Sequence, residues 1–316
     1  MHLLVLGGTQ FVGRAVVDAA VAAGHEVTLF NRGRTNPGLY PHLETVFGDR
    51  TEDLSALHGR RFDVVVDVAG YHPEVVCRSA EAFAATAGRY VFVSTVDVYA
   101  DQSVPPVEGA ALRSPDEQTD DLYGAHKAAC EQIVEAAYGD RSFIVRPGYI
   151  VGPHDPTDRF TYWPQRVARG GRVLVPGDPD DPMQFVDARD LGAFIVAGAA
   201  GLSGAYNVVR PPQPMAEFLG VCRDVAGSDA SFLYVPGDRL LAAGVDPWEV
   251  PMWIGEPGWE GANRVDAGKA RAAGLVTRPV AETVADTLAW DAARGVPQIG
   301  LHPDDEARLL TLALAP

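Results

Sequence analysis

Lysine is almost missing from this chain: 316 residues hold two, Lys127 and Lys269, against 24 arginines. A lysine kept in such an arginine-rich background marks a place where a compact ammonium does something a planar guanidinium does not. Cysteine is scarce as well. Cys77, Cys130 and Cys222 are scattered and odd in number, which excludes a disulfide framework or a Cys-rich metal centre and points to a reducing compartment. No apolar run approaches the ~18 residues of a membrane-spanning helix. No positive segment precedes the first apolar run, which feeds a glycine turn rather than a cleavage site, so no signal peptide is expected and the expected location is cytoplasmic. Positive charge is the minority, 26 basic against 42 acidic residues for a formal net charge of −16. That balance disfavours nucleic acid and anionic membrane as partners, yet it permits a local basic pocket for a small anion. Internal repeats and low-complexity tracts are absent.

What the chain does have is Leu3–Gly13, LLVLGGTQFVG. An apolar strand runs into a glycine pair, and a helical run over Phe11–Ala23 follows directly. Such a turn aims helix N-terminal N–H groups at an anion, most often a dinucleotide pyrophosphate; the alternative is a strand–Gly–helix turn with no ligand. The glycines are Gly7, Gly8 and Gly13, with Gln10 at the middle position. Glu26–Phe30 reads as the second strand and ends at Asn31-Arg32-Gly33-Arg34. In a dinucleotide fold an acid at this point takes the ribose 2′-hydroxyl, whereas an arginine accommodates a 2′-phosphate. Asn31 followed by Arg32 and Arg34 therefore favours NADP over NAD, unless both arginines are merely solvated loop charges.

Leu43–Phe47 reads as a strand, as do Phe62–Val68, Arg89–Ser94 and Ser142–Arg146, with helices over Glu74–Ala87 and Leu122–Tyr138. Val68, Ala69 and Gly70 end their strand in small residues that let a cofactor approach. The β–α alternation with near-continuous apolar strands predicts an α/β, Rossmann-type, doubly wound parallel sheet covered on both faces. The dinucleotide domain is expected over 1–148, with 184–209 returning to it. A smaller C-terminal α+β substrate portion is expected from 149–183 and 210–316. It would hold helices over Met215–Ala226, Ala281–Arg294 and Asp304–Leu314. Asp101–Asp121, with three prolines and six acids, reads as a surface loop or a flap over the active site. Trp248, Trp253 and Trp259 read as inter-domain packing rather than a ligand cage. His154, Asp155 and Asp158 share no geometry that would hold a metal, and none is expected.

Tyr123 and Lys127 carry the chemistry. Their i, i+4 spacing puts both on one face of the predicted helix. Ten Tyr and two Lys in 316 residues give about 10 × 2/316, or 0.06, chance matches to Tyr-x-x-x-Lys, so the pattern is specific. A phenol with an ordinary pKa near 10 needs about three units, roughly 4 kcal/mol, to act as an acid or base near neutrality. One cation ~4 Å away supplies about that much at an effective dielectric of 20. Lys127 is thus expected to lower the Tyr123 pKa. Ser94 and Thr95, at a strand end upstream, offer a hydroxyl to the same substrate oxygen, or else a helix cap.

The motifs GGTQFVG (7–13), GD (48–49), VAG (68–70), STVDVY (94–99), YGAHK (123–127), RPG (146–148), GP (152–153) and FVDARDL (185–191) occur in this order. Together they resemble the extended short-chain dehydrogenase/reductase family, the NAD-dependent epimerase/dehydratase group. The likeness covers roughly the first 200 residues well, and LFNRGRTNP with GPHDPTDRFTYWP resembles a bacterial reductase-like branch. The resemblance implies Thr95, Tyr123 and Lys127 as the catalytic set. It places the cofactor against Gly7, Thr9, Gln10, Phe11, Val12, Gly13, Asn31, Arg32, Arg34, Asp49, Arg50, Val68, Ala69, Gly70, Tyr123, Lys127 and Pro147, with Asp49 at the adenine. It puts Tyr71, Asp97, His154, Arg159, Tyr162 and Trp163 towards the substrate, and it implies a homodimer.

Three departures narrow the activity. Gln10 replaces a glycine at the pyrophosphate turn. The sugar 4,6-dehydratases of the family read Thr-Asp-Glu-Val-Tyr, whereas Thr95-Val96-Asp97-Val98-Tyr99 lacks the acid and shortens the base. Met183-Gln184 stand where nucleotide-sugar epimerases place a diphosphate-binding arginine. The expected function is NADP(H)-dependent, or alternatively NAD(H)-dependent, oxidoreduction of a small hydroxy or carbonyl compound. An epimerase that keeps its cofactor bound is the alternative among enzymes, and a dinucleotide-sensing or RNA-binding protein the alternative outside them.

Overall fold

A computed structural model describes residues 1–116, 121–255, 257–294 and 299–313. The first half contains β1 (His2–Leu6), α1 (Phe11–Ala22), β2 (Glu26–Asn31), β3 (Glu44–Phe47), β4 (Phe62–Asp67), α2 (Pro73–Phe83), β5 (Ala87–Val93), α3 (Tyr123–Tyr138) and β6 (Ser142–Pro147). Next come β7 (Tyr149–Val151), α4 (Tyr162–Ala168), β8 (Arg172–Pro176), β9 (Pro182–Met183), β10 (Phe185–Asp187), α5 (Ala188–Gly198) and β11 (Gly204–Val208). The remainder holds β12 (Gln213–Pro214), α6 (Met215–Ala226), β13 (Ser231–Val235), α7 (Gly237–Ala242), α8 (Gly268–Ala272), α9 (Val280–Asp291) and α10 (Pro303–Ala313). Leu314, which the sequence pattern put in the last helix, lies outside the described residues.

Seven strands form one parallel sheet in the order β3-β2-β1-β4-β5-β6-β11. Its centre is apolar on both faces: Leu3–Leu6 and Val64–Val66 are at most 1% exposed. Such strands need helices on both sides. Helices α1 and α5 pack beside each other over one face, and α2 and α3 over the other. Chain order reverses between β1 and β4, which opens a crevice at the carboxyl ends of these strands. Gly7 and Val68 stand there, so close that a Cβ on Gly7 would lie 2.8 Å from Val68 Cγ2.

The C-terminal half has its own core, in which Phe160, Trp163, Phe185 and Phe218 are buried among α4, α6, α9 and the parallel pair β8–β13. One expectation changes here. Helix α2 stops at Phe83 rather than Ala87, because Ala87 already pairs with Phe62, and at the next position a Cβ on Gly88 would lie 2.7 Å from the Asp63 carbonyl. The loop beginning at Asp101 folds back on the strand-end turn, with Arg113 N–H donating to the Val98 carbonyl at 2.7 Å and a bridge between Tyr99 and Leu112. Residues 117–120 of that loop lie outside the described residues.

Several motif residues turn out to be framework. Arg146 pairs with Glu131 of α3 at 2.6 Å, both under 5% exposed, and donates to the Tyr99 hydroxyl at 2.9 Å. The Tyr99 hydroxyl donates in turn to Asn207 Oδ1 of β11 at 2.7 Å. Asp187 caps α5 through Arg189 N–H and accepts from Thr283 of α9 at 2.9 Å. The Arg146 bonds tie Tyr99, at the end of the turn that carries Thr95, to the helix that carries Tyr123.

Candidate active site

A cleft of about 1190 Å³ runs from the glycine turn, across the ends of β1, β4 and β5, to the C-terminal half. At the turn, Gly7 and Gly8 have φ of 114° and 100°, where L side chains are strained, and a Cβ on Gly13 would lie 2.6 Å from Gly8 N. Gln10 has extended backbone (φ −140°), and the left-handed residue is instead Phe11 at φ 40°. No side chain caps α1, so its first N–H groups face the cleft as an anion site. Asn31 Oδ1 accepts from Gly33 N at 2.8 Å, while its buried Nδ2 has no partner. Arg32 and Arg34 are exposed on the cleft rim beside Asp49. Hydrogen bonds from Thr51, with the two guanidinium charges adding, hold the Asp49 carboxyl below its ordinary value. A glycine cradle that any Cβ would fill, facing helix N–H groups and an orphaned buried amide, fits a dinucleotide.

Tyr123 opens α3, its N–H donating to Asp121 Oδ1 at 3.0 Å. The next residue has to be Gly124, since a Cβ there would lie 2.2 Å from the Asp97 carbonyl. That close approach sets Tyr123 against the Thr95 turn, near enough for the Thr95 hydroxyl to pull the phenol pKa downward. Thr95 Oγ1 also accepts from Asp97 N–H at 3.2 Å. The adjoining Ser94 hydroxyl is buried, lines the cleft and has no partner. Tyr123 is 43% exposed, but that surface opens onto the walled cleft, so the phenol is still substantially desolvated. Burial, with Tyr71 and Asp97 nearby, pushes its pKa up to about 12, against the downward pulls of Thr95 and Arg159.

Lys127 lies one turn further and deeper, 3% exposed. Its ammonium donates to the carbonyls of Gly70 (2.8 Å) and Val93 (2.5 Å) and sits 4.3 Å from the Phe92 ring centroid. Burial brings its pKa down to about 8. The expected lowering of the Tyr123 pKa by Lys127 is therefore not observed. The cation is held by two carbonyls at the ends of β4 and β5, and desolvation dominates the phenol.

The cleft is lined by Gly7, Thr9, Gln10, Phe11, Val12, Gly13, Asn31, Arg32, Arg34, Asp49, Arg50, Val68, Ala69 and Pro147 from the cofactor set, and by Thr95, Tyr123, Tyr71, Asp97 and Arg159. Gly70 and Lys127 lie just behind this wall. Two residues are committed elsewhere: Arg50 pairs with buried Asp67 and donates to Ser79, and Asp97 pairs with Arg113 at 3.4 Å. Three substrate expectations are not met. Tyr162 and Trp163 are core residues, 3% and 0% exposed, and Trp163 Nε1 donates to the Pro251 carbonyl at 2.8 Å. His154 meets Trp290 edge-to-face beside a separate cavity of about 230 Å³ behind the glycine turn.

Sequence reasoning also missed one wall. Trp248, Trp253 and Trp259, read as domain packing, line the cleft with Ile254 and Asn263. The only signal was three tryptophans within twelve residues of a Pro/Gly-rich segment.

The sequence model of the NAD dependent epimerase/dehydratase family matches residues 3–81 and 72–208. The chain is 28% identical over 293 residues to 2-alkyl-3-oxoalkanoate reductase of Stenotrophomonas maltophilia (strain K279a), covering 81% of this chain and 86% of that one. It is 28% identical over 213 residues to the chloroplast stem-loop binding protein of 41 kDa b of Arabidopsis thaliana, covering 61% of this chain and 54% of that one. The fold is similar to UDP-glucuronic acid 4-epimerase from Bacillus cereus in complex with NAD, with a TM-score of 0.69 at 14% identity, over 93% of this chain and 99% of that one. Among the described residues no helix is long and apolar enough to cross a membrane, and no cluster of three metal-ligating side chains occurs.

Proposed function

Because this chain belongs to the NAD dependent epimerase/dehydratase family and is an enzyme of it, we propose that it reduces a small carbonyl compound with NADPH, using Thr95, Tyr123 and Lys127. The observation that carries this reading is the Tyr123 phenol lining the cleft together with Thr95, with its pKa pushed up to about 12 by burial. A phenol that keeps its proton at neutral pH is a donor, which is what a carbonyl oxygen needs as it becomes a hydroxyl. The cofactor supplies the hydride when bound.

The chain's own groups divide the remaining work. Tyr123 Oη gives its proton to the substrate oxygen. The Thr95 hydroxyl orients that oxygen and the phenol together. Lys127 ties the ends of β4 and β5 behind the phenol, and the family resemblance adds a contact to the cofactor ribose. Gly7, Thr9, Phe11, Val12 and Gly13 would hold the pyrophosphate, Asn31, Arg32, Arg34 and Asp49 the adenosine end, and Val68, Ala69 and Pro147 the approach to the nicotinamide. Arg32 and Arg34 support NADP over NAD, since no acid stands at the ribose position. The relative from S. maltophilia, a reductase similar along most of this chain, supports net reduction. A homodimer belongs to this reading through the resemblance alone.

The test is net cofactor consumption. Purified protein given NADPH and a panel of ketones, oxo acids and aldehydes consumes NADPH in step with alcohol formed. An epimerase would interconvert substrate with no net consumption. A protein resembling the stem-loop binder would consume none and would shift RNA in a gel.

A further inference from the structure

The cleft is chemically uneven along its length. Part of its wall is aromatic: Pro247, Trp248, Trp253, Ile254 and Trp259 line the same cleft as Tyr71 and Tyr123. Trp248 is 80% and Tyr71 54% exposed, which is a large apolar surface to leave facing water. The wall is nonetheless firmly tethered. The Trp163 indole holds the Pro251 carbonyl at 2.8 Å, Trp253 N–H donates to the Val250 carbonyl at 3.2 Å, and Gly261 N–H donates to the Gln102 carbonyl at 2.7 Å. A Cβ on Gly255 would lie 2.8 Å from the Trp253 ring, so that ring is seated on backbone.

Positive charge at this end is sparse. Arg113 pairs with Asp97, and Arg50 is buried against Asp67. Arg159 remains. Its Nε donates to Thr157 at 3.2 Å, its guanidinium lies 5.1 Å from the Tyr149 ring centroid, and it forms no ion pair with a carboxylate among the described residues. Its charge reaches Tyr123. One cation whose charge reaches the reacting phenol, in a cleft that also carries a broad aromatic wall, matches a ligand with one negative charge and an apolar arm. A nucleoside diphosphate brings two phosphates and finds a single guanidinium.

We propose that the substrate half of the cleft binds monocarboxylates with a hydrophobic alkyl or aryl arm, the carboxylate on Arg159 and the arm along Trp248, Trp253 and Ile254. This rests on the reductase reading for calling such a ligand a substrate, but binding tests it separately. Each methylene buried against the wall strengthens binding by up to about fourfold.

Isothermal titration calorimetry of the full chain, with NADP⁺ present, would use butyrate, octanoate, octanamide and UDP-glucose as probes. Octanoate binds about tenfold or more tighter than butyrate and about tenfold tighter than octanamide. Trp248→Ala lowers octanoate affinity several-fold while butyrate holds, and Arg159→Gln abolishes the preference for octanoate over octanamide. Equal affinity for octanoate and butyrate overturns the proposal, as does octanamide matching octanoate, or UDP-glucose binding tighter than octanoate. If octanoate binds as stated while no carbonyl compound is ever reduced, the proposed activity falls and the binding assignment stands. If a carbonyl is reduced while octanoate and butyrate bind alike, the reverse holds.

Discussion

Tyr123 and Lys127 stand one helical turn apart, but their polar ends serve different places: the phenol lines the cleft with Thr95, while the ammonium donates to the carbonyls of Gly70 and Val93. Lys127 therefore acts as a buried brace between two strand ends. Lys127→Met leaves two buried carbonyls without a donor, and each unsatisfied group costs about 1–3 kcal/mol. Loss of turnover should be accompanied by a lower denaturant midpoint. Retained stability with lost turnover would assign Lys127 a purely chemical role.

The lowered Lys127 pKa makes a signed prediction for stability. Its folded value of about 8 lies below the ordinary lysine value of 10.5, so between these the unfolded chain binds more protons than the native one. Stability contributed by this group rises as pH increases from about 8 towards 10.5, and the penalty for charging it is fully present below 8. Against Lys127→Met, the wild-type chain should gain on the order of 3 kcal/mol across that window. Urea unfolding of both proteins at a series of pH values checks this; parallel curves would mean the ammonium stays charged throughout.

Cofactor choice turns on Arg32 and Arg34. Arg32→Ala should lower NADPH affinity about tenfold and leave NADH within twofold, consistent with loss of one exposed charge on a 2′-phosphate. A fluorescence titration with both nucleotides measures it. If the wild type binds them equally, the 2′-phosphate assignment fails.

Gly13→Ala would place a Cβ 2.6 Å from the Gly8 backbone nitrogen, where nothing flexible can yield. Dinucleotide affinity should fall by at least an order of magnitude, with a Tm loss of several degrees. Unchanged binding by calorimetry would show that the pyrophosphate does not sit on this turn.

Much of this was readable in the chain. The strands show as β-branched runs because a sheet covered on both faces admits little else, and Tyr123-x-x-x-Lys127 is unambiguous in a chain with two lysines. What escaped depends on distant partners. The carbonyls that hold Lys127 come from residues 57 and 34 positions away, so no local spacing reports them. Tyr162 and Trp163 lie next to a polar loop and look like lining, but α4 turns both into the core. Trp248 and Trp253 look like packing because nothing local says that their segment closes over the cleft.

The most direct test compares wild type with Tyr123→Phe, both saturated with NADPH, for the rate of carbonyl reduction by the loss of nicotinamide absorbance. The variant keeps the ring and loses the proton, so it should bind NADPH as the wild type does and turn over about 10²–10⁴-fold more slowly. A variant that binds NADPH normally and reduces the same carbonyl at the wild-type rate would contradict the assignment of Tyr123 as proton donor.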